Sequence, residues 1–350
     1  MKGKAMNHLM RVLIINAPHR AVLEERPIPH PARHEVLIRV HRAGICGSDL
    51  HIYEGSNPFV SYPRIPGHEL AGEIVSWGSE VRDAPPPGTK VVVDPVISCG
   101  KCIACRMGHP NVCCDLQVVG VHRDGSFAPY LVVPAANVYP IPEHLTWNEA
   151  VFIEPYSIAA NVRHRLQVTP DDTVLIIGAG IIGTLTLQAI RLTGARTIIC
   201  DISEPALERA RRMGAEETIN TEGRDLADAV LAYTGGEGPT AVVDAVGAPS
   251  LFESIVRSCA PGARIVLLGF SSVPTPVRQS EIIRKELSIL GSRLNNRRFP
   301  EVVSWFAEGK IDPTPLFVGE YSLKEAPSLL DRISKERALP GKLILRLQEE

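Results

Sequence analysis

Four cysteines lie close together in the stretch SCGKCIACRMGHPNVC, and they are half of the eight cysteines in this 350-residue chain. A large chain in a reducing compartment does not need disulfides, so clustered thiols indicate metal binding. The spacing allows Cys99, Cys102, Cys105 and Cys113 to surround one tetrahedral Zn²⁺ with every coordination position filled, which is typical of a structural site. The alternative is a loop with four unligated thiols. Cys114 is expected to point elsewhere.

A glycine-rich stretch, VLIIGAGIIG, could bind a dinucleotide. Gly178, Gly180 and Gly183 follow an apolar strand and precede a helix, which is the context that this motif requires. The glycines allow a tight turn and the close approach of a pyrophosphate to the helix N-terminus. Asp201 ends the next strand, eighteen residues after Gly183, where a carboxylate accepts hydrogen bonds from ribose hydroxyls and repels a 2′-phosphate. The pattern favours NAD over NADP; the alternative is a glycine turn with a helix-capping Asp201.

A second group of metal-ligand residue types is spread over the segments GICGSDLH, PGHELAGE and FIEPYS, which contain Cys46, His68, Glu69 and Glu154. Taken one at a time, these residues could be a buried thiol, a core histidine or a surface acid. Together, in apolar or glycine-rich surroundings, they indicate a second metal site.

Two kinds of secondary-structure pattern divide the chain. From about residue 12 to 139, short β-type runs such as EVLIRV, LAGEIVSW and PYLVVP are broken by Gly and Pro, which predicts a β-rich, partly closed barrel. From about residue 173, apolar strands alternate with amphipathic helices, which predicts parallel βαβ units. The final strand GKLILRL is expected to return and pair with the first domain. The length supports two domains.

Charge and hydropathy exclude several function classes. The formal net charge is −2, so the chain has no excess of basic residues that would bind a nucleic acid. The same charge argues against the interpretation of the cysteine lobe as a nucleic-acid-binding zinc module. We find no run of eighteen apolar residues and no signal-peptide core, so we expect a cytoplasmic protein without a membrane partner. A start at Met10 is an alternative, so the preceding segment is left out of the fold prediction.

These motifs, in this order, resemble those of zinc-containing medium-chain dehydrogenases of the sorbitol dehydrogenase type, from Arg11 to Leu347. Within that family, the segments NPFVSYPRIPGHE, VVGVHRDGSF, FIEPYSIAANV and KELSILGSRLN look most similar to L-galactonate and L-gulonate 5-dehydrogenases. The resemblance implies an α/β protein with a GroES-like β-barrel catalytic domain over residues 10–155 and 293–350, including a zinc lobe at about 95–116. A Rossmann domain with a doubly wound parallel sheet would occupy residues 156–292.

The resemblance also implies roles for single residues. Cys46, His68 and Glu154 would hold a catalytic Zn²⁺, so that each chain carries two zinc ions and NAD. Glu69 would lie beside this metal or alternate as a ligand. Ser48 and His51 would pass the substrate proton through the cofactor ribose to solvent.

Substrate binding is predicted at Arg293, His122 and Tyr53, with Asn295 and Arg123 as further polar candidates. A guanidinium fork suits a carboxylate, although Arg293 could instead contact the NAD pyrophosphate or pair at the domain boundary. His122 could equally make a structural hydrogen bond. Phe59 and Ile45 are either pocket walls or core.

The resulting hypothesis is oxidation of a secondary alcohol of a sugar acid or polyol, at C5 of L-gulonate or L-galactonate. Alternatives with the same machinery are sorbitol, L-idonate, galactitol phosphate or L-threonine as substrate. A different class is a regulator that senses NAD without turnover. By analogy with the family we expect a homodimer or homotetramer, with LSILGSR as a candidate interface strand.

Overall fold

The computed structural model describes residues 9–82, 85–336 and 341–348. The segment before Met10 therefore lies, except for Leu9, outside the described residues. The chain divides into two compact units, of which unit 1 comprises the residues up to Glu154 and those from Phe317 onward, and unit 2 comprises Pro155–Leu316. In the part of the chain that the structure describes, we find no helix long and apolar enough to cross a membrane.

The first part of unit 1 is rich in strands, which are β1 (Leu9–Ala17), β2 (Arg20–Pro27), β3 (Glu35–Ile45), β4 (Glu69–Trp77), β5 (Lys90–Val93), β6 (Val96–Ile97), β7 (Gln117–Val118), β8 (Tyr130–Pro134) and β9 (Val138–Pro140). Its helices are short and are α1 (Gly47–Glu54), α2 (Ile103–Arg106) and α3 (Trp147–Val151).

Unit 2 alternates helices and strands. Helix α4 (Ile153–Leu166) begins at the boundary of the units, and the further elements are β10 (Thr173–Ile177), α5 (Ile181–Arg191), β11 (Arg196–Asp201), α6 (Glu204–Arg212), β12 (Glu217–Asn220), α7 (Leu226–Tyr233), β13 (Ala241–Asp244), α8 (Phe252–Ser258), β14 (Arg264–Leu267), α9 (Gln279–Lys285), β15 (Ser288–Gly291) and α10 (Phe299–Ala307). The chain then returns to unit 1 through β16 (Phe317–Ser322), α11 (Ala326–Glu336) and β17 (Lys342–Arg346).

The main sheet of unit 1 joins the two ends of the chain. Its strand order is β16-β17-β3-β4-β5-β9, and β8 also pairs with β3. Strand β17 is antiparallel to β3, with Leu343 opposite Ile45, which confirms that the final strand pairs with the first domain. Strand β3 is antiparallel to β4, so the residues that follow β3 and those that begin β4 lie at the same end of this sheet.

Unit 2 contains a parallel sheet with the strand order β12-β11-β10-β13-β14-β15. The order reverses between β10 and β13, and ligands of such sheets bind outside the carboxyl ends of the strands at this switch point. Apolar clusters cover both faces: one includes Leu187, Leu207 and Val243, and the other includes Val230, Val242 and Ile255. This sheet confirms the predicted βαβ alternation. The strands were visible in the sequence because strands that are buried on both faces are continuous apolar runs.

The second boundary between the units differs from the prediction. The family resemblance implied a boundary at residue 293, whereas the compact unit 2 continues to Leu316. The reason is that α10 packs against α4: the ring of Phe306 lies edge-on to Tyr156, and Glu301 forms an ion pair with Arg163. An amphipathic helix does not reveal from its own sequence which domain it will cover.

Candidate metal centres and dinucleotide site

The four-cysteine lobe has the geometry of a zinc site. The Sγ atom of Cys102 lies 3.5 Å from that of Cys105 and 3.8 Å from that of Cys113, and Cys113 lies 3.4 Å from Cys99. Four thiolates placed at about 2.3 Å from a tetrahedral Zn²⁺ are roughly 3.8 Å apart. The sulfurs are too distant for disulfides, so the donor set fits a zinc ion without rearrangement of the backbone.

Backbone amides also favour the thiolate form in this lobe. The amide of Cys102 donates to Cys99 Sγ at 3.4 Å, and the amide of Asp115 donates to Cys113 Sγ at 3.3 Å. Hydrogen bonds from the backbone of Cys114 and Cys105 lower the pKa of Cys102 to about 5. The amide of Cys99 lowers the pKa of Cys113, but burial and hydrogen bonds with the sulfurs of Cys99 and Cys105 outweigh it and raise that pKa to about 11. A bound Zn²⁺ would hold all four sulfurs as thiolates, which is the form that binds metal. The neighbouring Cys114 is exposed and is not part of the cluster.

A second group of metal-ligand atoms forms where β3 ends and β4 begins. One ligand atom each of Cys46, His68 and Glu69 lies within 4.8 Å of the others. Cys46 is the N-cap residue of α1, and Glu69 is the first residue of β4. Antiparallel pairing places Gly44 opposite Glu69, so the strand register itself brings the thiol and the carboxylate together.

Asp49 orients this second group. It is fully buried, and its carboxylate accepts hydrogen bonds from the amides of Cys46 at 2.9 Å and Gly67 at 3.1 Å. His68 Nδ1 lies 3.6 Å from Asp49 Oδ1, and among residues 9–82, 85–336 and 341–348 no atom forms a hydrogen bond with this buried nitrogen. A carboxylate behind one ring nitrogen is the arrangement that fixes a metal-binding histidine with its other nitrogen toward the ion.

The carboxylate of Glu69 also forms a buried ion pair with Lys342. The ammonium of Lys342 donates to both oxygens of Glu69, at 2.6 and 2.5 Å, and both side chains are 1% exposed. Burial alone would lower the pKa of Lys342, but attraction by Glu69 outweighs this effect and raises it, so the ammonium stays charged. Gly44 provides the space, because a Cβ atom there would lie 2.1 Å from Glu69 Oε2.

Glu154 is not in the group formed by Cys46, His68 and Glu69. It is buried, and burial raises the pKa of its carboxyl group to about 8, with Glu69 acting in the same direction and His68 opposing it. The carboxylate is therefore near enough to both residues to interact electrostatically. A carboxylate this costly to ionise is stabilised by a nearby cation, so Glu154 also fits a metal-bearing site.

Ser48 and His51 lie on α1, directly after Cys46. Ser48 Oγ is 3.4 Å from His68 Nε2, which places a hydroxyl beside the metal-ligand group. His51 has a side chain that is 64% exposed, and its Nδ1 lies 3.1 Å from Ser56 Oγ. One residue therefore faces the group and the other faces solvent, as a proton path requires.

The glycine loop of unit 2 leaves space for a phosphate. Gly178 has φ +97°, and a Cβ at Gly183 would lie 1.8 Å from the carbonyl oxygen of Gly178, so the strand-to-helix turn requires both glycines. Gly180 is the N-cap of α5 and makes no side-chain cap, and a Cβ there would meet nothing within 4 Å. The N-terminus of α5 therefore has open space beside Gly180 and no side-chain cap, which fits a pyrophosphate.

Asp201 lies at the carboxyl end of β11, beside this loop. Its Oδ2 accepts a hydrogen bond from the amide of Ala179 at 2.7 Å, and its Oδ1 accepts one from the amide of Ser203 at 2.8 Å. These bonds hold the carboxylate next to the glycine loop, where the adenosine ribose of a dinucleotide lies in such folds.

The predicted substrate residues have different surroundings. Tyr53 is buried, and its hydroxyl donates to Asp331 at 3.4 Å and to the carbonyl of His19 at 3.5 Å. These contacts tie α1 to α11 and to the β1–β2 turn, so the hydroxyl of Tyr53 has structural partners, and its assignment to the substrate stays a prediction. A long-range contact of this kind leaves no mark in the sequence around Tyr53.

The surroundings of His122 and Arg293 are compatible with the substrate roles predicted for them, which stay predictions. The ring of His122 lies 6.2 Å from that of half-exposed Phe59, and its Nδ1 accepts a hydrogen bond from the amide of Val118. Arg293 is exposed in the segment after β15. In the same segment, Leu294 and Arg297 have φ values of +52° and +56°, and such strained backbone is concentrated at functional sites.

Sequence reasoning missed Asp49, Gly44 and Lys342. A signal for Asp49 exists in the GICGSDLH motif, where an acid stands three residues after the N-cap Cys46 and can close a capping box. The lysine in GKLILRL has no comparable signal, because its partner lies 273 positions away.

Two family descriptions match the chain. Residues 32–143 match "Alcohol dehydrogenase GroES-like domain", and residues 182–308 match "Zinc-binding dehydrogenase". Both regions agree with the sites described above, since the first contains both clusters of metal-ligand atoms and the second begins at the glycine loop.

Similar proteins extend over almost the whole chain. The starvation-sensing protein RspB of Escherichia coli K12 is 42% identical over 97% of this chain and 100% of its own length. The L-galactonate-5-dehydrogenase of the same strain is 34% identical over 89% of this chain and 92% of its own. The crystal structure of RspB from E. coli CFT073, described as an alcohol dehydrogenase complexed with NADH, has a TM-score of 0.92 at 41% identity and covers 97% of this chain and 99% of that one.

Proposed function

The chain belongs to the zinc-type medium-chain alcohol and sorbitol dehydrogenase family, and on this premise we propose that it oxidises a secondary alcohol of a sugar acid or polyol with NAD. Members of this family are oxidoreductases that act on alcohols with zinc and a nicotinamide dinucleotide. The observation that carries the proposal is the group of partly buried Cys46 with buried His68 and Glu69, which has the Ser48 hydroxyl at its edge.

A zinc ion held here would supply the acidity that the reaction needs, because it would lower the pKa of a coordinated alcohol by several units, as it does for bound water. The side chains of the site would hold the metal, orient its ligands and transfer the substrate proton. We assign Cys46, His68 and Glu154 as ligands, because both oxygens of Glu69 are engaged by Lys342. Asp49 holds the His68 ring in place. Ser48 receives the substrate proton, and exposed His51 delivers it to solvent.

The dinucleotide in this proposal is NAD rather than NADP. Asp201 supports this assignment, since its carboxylate is fixed beside the glycine loop by the amide of Ala179. A 2′-phosphate would meet this negative charge, whereas the two ribose hydroxyls of NAD could donate to it.

The proposed substrate is L-gulonate or L-galactonate, oxidised at C5. Support comes from the 34% identity to an L-galactonate-5-dehydrogenase and from exposed Arg293, whose guanidinium fork suits a carboxylate. A neutral polyol is the alternative, since the chain is also 33% identical to a sorbitol dehydrogenase of Bacillus subtilis, and other relatives are L-threonine 3-dehydrogenases.

The test is NADH formation, followed at 340 nm with a panel of sugar acids, polyols and L-threonine, on protein whose zinc content has been measured. Turnover of L-gulonate or L-galactonate is expected. Turnover of neutral polyols alone would remove the sugar-acid assignment and leave the dehydrogenase assignment standing.

A regulator that binds NAD without turnover is the second candidate, because a relative that is 42% identical is named as a starvation-sensing protein. Such a protein would not need the donor group around Cys46. NAD binding with full zinc content and no turnover of any compound in the panel would favour this candidate.

We also propose that the protein is a cytoplasmic homodimer or homotetramer. Strand β15 lies at the edge of the parallel sheet; Ile289 within it is exposed, as is Ile283 of the preceding helix α9. An edge strand with exposed apolar side chains suits pairing with a second copy of the chain. Sedimentation should show an oligomer that Ile289→Lys dissociates; a monomer at micromolar concentration would remove this proposal.

A further inference from the structure

Unit 1 contains a cavity of about 630 Å³ that neither metal-ligand group uses. Strands β1 and β2 form one wall, the segment 63–65 forms a second, and residues 122–132 form a third. This volume is in the range of cavities that bind small molecules. Neither Cys46, His68, Glu69 nor the cysteines of the zinc lobe lines it.

The charged side chains of the cavity are mostly cationic. Arg26, Arg64 and Arg123 line it together with His122, and Asp124 is the acidic residue among the lining side chains. These cations come from β2 and from two separate loops, so they approach the cavity from different sides. Three guanidinium groups at one cavity offer the donors that an anionic group needs.

Each arginine keeps donors for a ligand. Arg26 Nη2 contacts Glu24 at 2.8 Å, Arg64 Nη1 contacts Asp124 at 3.0 Å, and Arg123 Nη2 contacts Glu35 at 3.1 Å. A guanidinium has five N–H groups in a planar fork, so these pairs use only part of its capacity. Such partly exposed ion pairs are weak, and a carboxylate, sulfonate or phosphate can join or replace them.

The rest of the lining is apolar. It includes Met10, Ile14, Pro27, Ile65 and Leu131, and the ring of Tyr130 lies among them. A purely inorganic anion would leave this surface in contact with water, whereas a molecule with an apolar body would cover it. Burial of apolar area adds roughly 25 cal/mol per Å².

We propose that this cavity is a binding site, separate from the metal and dinucleotide sites, for a small anionic molecule with an apolar body. The wall of residues 64–67 is hydrogen-bonded to residues 124–127: the amide of Gly125 donates to the carbonyl of Ile65 at 2.7 Å, and the amide of Phe127 donates to that of Pro66 at 3.0 Å. The cavity therefore has walls held by backbone hydrogen bonds, as a preformed site requires. In this proposal His122 and Arg123, predicted above as substrate residues, serve the cavity that they line instead.

The test uses 1-anilinonaphthalene-8-sulfonate, whose fluorescence increases when it enters an apolar site, on zinc-loaded protein saturated with NAD⁺ so that the dinucleotide site is blocked. Three chains are compared: the unchanged protein, Arg26→Glu, and the matched control Arg33→Glu. Arg33 is an exposed arginine of the same unit that pairs with Glu80 and does not line the cavity.

We expect saturable binding to the unchanged protein, about tenfold weaker binding to Arg26→Glu, and no change in Arg33→Glu. The neutral analogue N-phenyl-1-naphthylamine should bind weakly and should not distinguish the variants. A second variant, Val132→Trp, places a large ring at a half-buried position of the wall and should reduce binding without changing a charge.

Equal binding to all three chains, or equal loss in Arg26→Glu and Arg33→Glu, would overturn the proposal, because the anion would then bind elsewhere or respond only to net charge. Displacement of the probe by higher NAD⁺ would also overturn it. Melting temperatures measured alongside show whether each variant is folded.

Discussion

The Lys342 ammonium lies 2.6 and 2.5 Å from the two carboxylate oxygens of Glu69, and strand β17 thereby makes a buried ion pair with strand β4 beside a metal-ligand group. Removing one partner of a buried pair leaves an uncompensated charge in the interior. The pair therefore fixes Glu69 in position as well as joining the two ends of the chain.

Lys342→Met should lower the free energy of unfolding of unit 1 by roughly 3–5 kcal/mol, because Glu69 is then buried without a partner. Urea unfolding followed by tryptophan fluorescence measures this in a Trp305→Phe background, where the remaining tryptophans, Trp77 and Trp147, lie in unit 1. The matched control is Lys335→Met, whose exposed pair with Asp331 should be worth less than about 1 kcal/mol. Equal effects of the two substitutions would contradict the prediction.

Glu154→Gln should release the zinc held with Cys46 and His68, whereas Glu69→Gln should retain most of it, because both oxygens of Glu69 are engaged by Lys342. Zinc per chain, measured by atomic absorption after dialysis, distinguishes the two carboxylates. Loss of zinc in Glu69→Gln alone would instead identify Glu69 as the direct ligand, in line with its position within 4.8 Å of Cys46 and His68.

Cys102→Ser should remove the zinc of the four-cysteine lobe and lower the melting temperature, since the lobe leaves its larger apolar side chains Ile103, Met107 and Val112 exposed and ligation organises it. Cys114→Ser is a stringent control, because Cys114 is adjacent to Cys113 but exposed and outside the cluster. The same zinc content in both variants would show that the four sulfurs do not form a metal site.

Asp201→Gly should raise kcat/KM for NADP relative to NAD by roughly tenfold to a hundredfold, because the carboxylate that repels a 2′-phosphate is removed. The control is Ser203→Ala, which removes the N-cap of α6 at the same edge of the sheet and should leave the preference unchanged. Parallel loss of both cofactors in Asp201→Gly would show that Asp201 only holds the glycine loop through Ala179.

Arg293→Ala should raise KM for sugar acids about tenfold or more and leave KM for neutral polyols unchanged, since a carboxylate loses a charge-assisted partner. Arg297→Ala tests an exposed arginine of the same segment and is expected to have a small effect. An equal rise for both substrate classes would assign Arg293 to the cofactor or to the scaffold.

Local spacing determined the parts of this protein that the sequence predicted. The cysteine lobe spans residues 99–113, and the glycine motif spans 178–183, so the chain itself keeps their ligand groups within reach of one another. The strand and helix patterns were equally legible, because β10 is a continuous apolar run that is buried on both faces, whereas the buried residues of α6, Ala206, Leu207 and Ala210, recur at the period of a helix.

Tertiary packing decided the remaining features. Glu69 and Lys342 are 273 positions apart, and Tyr53 meets Asp331 across 278 positions, so no local pattern could reveal that one lysine would neutralise a buried acid or that one tyrosine would be held by α11. Helix α10 belongs to unit 2 because its residues Phe306 and Glu301 contact Tyr156 and Arg163 of α4. Sequence spacing fixes which residues can meet nearby, whereas burial, charge pairing and strand register select the distant partners.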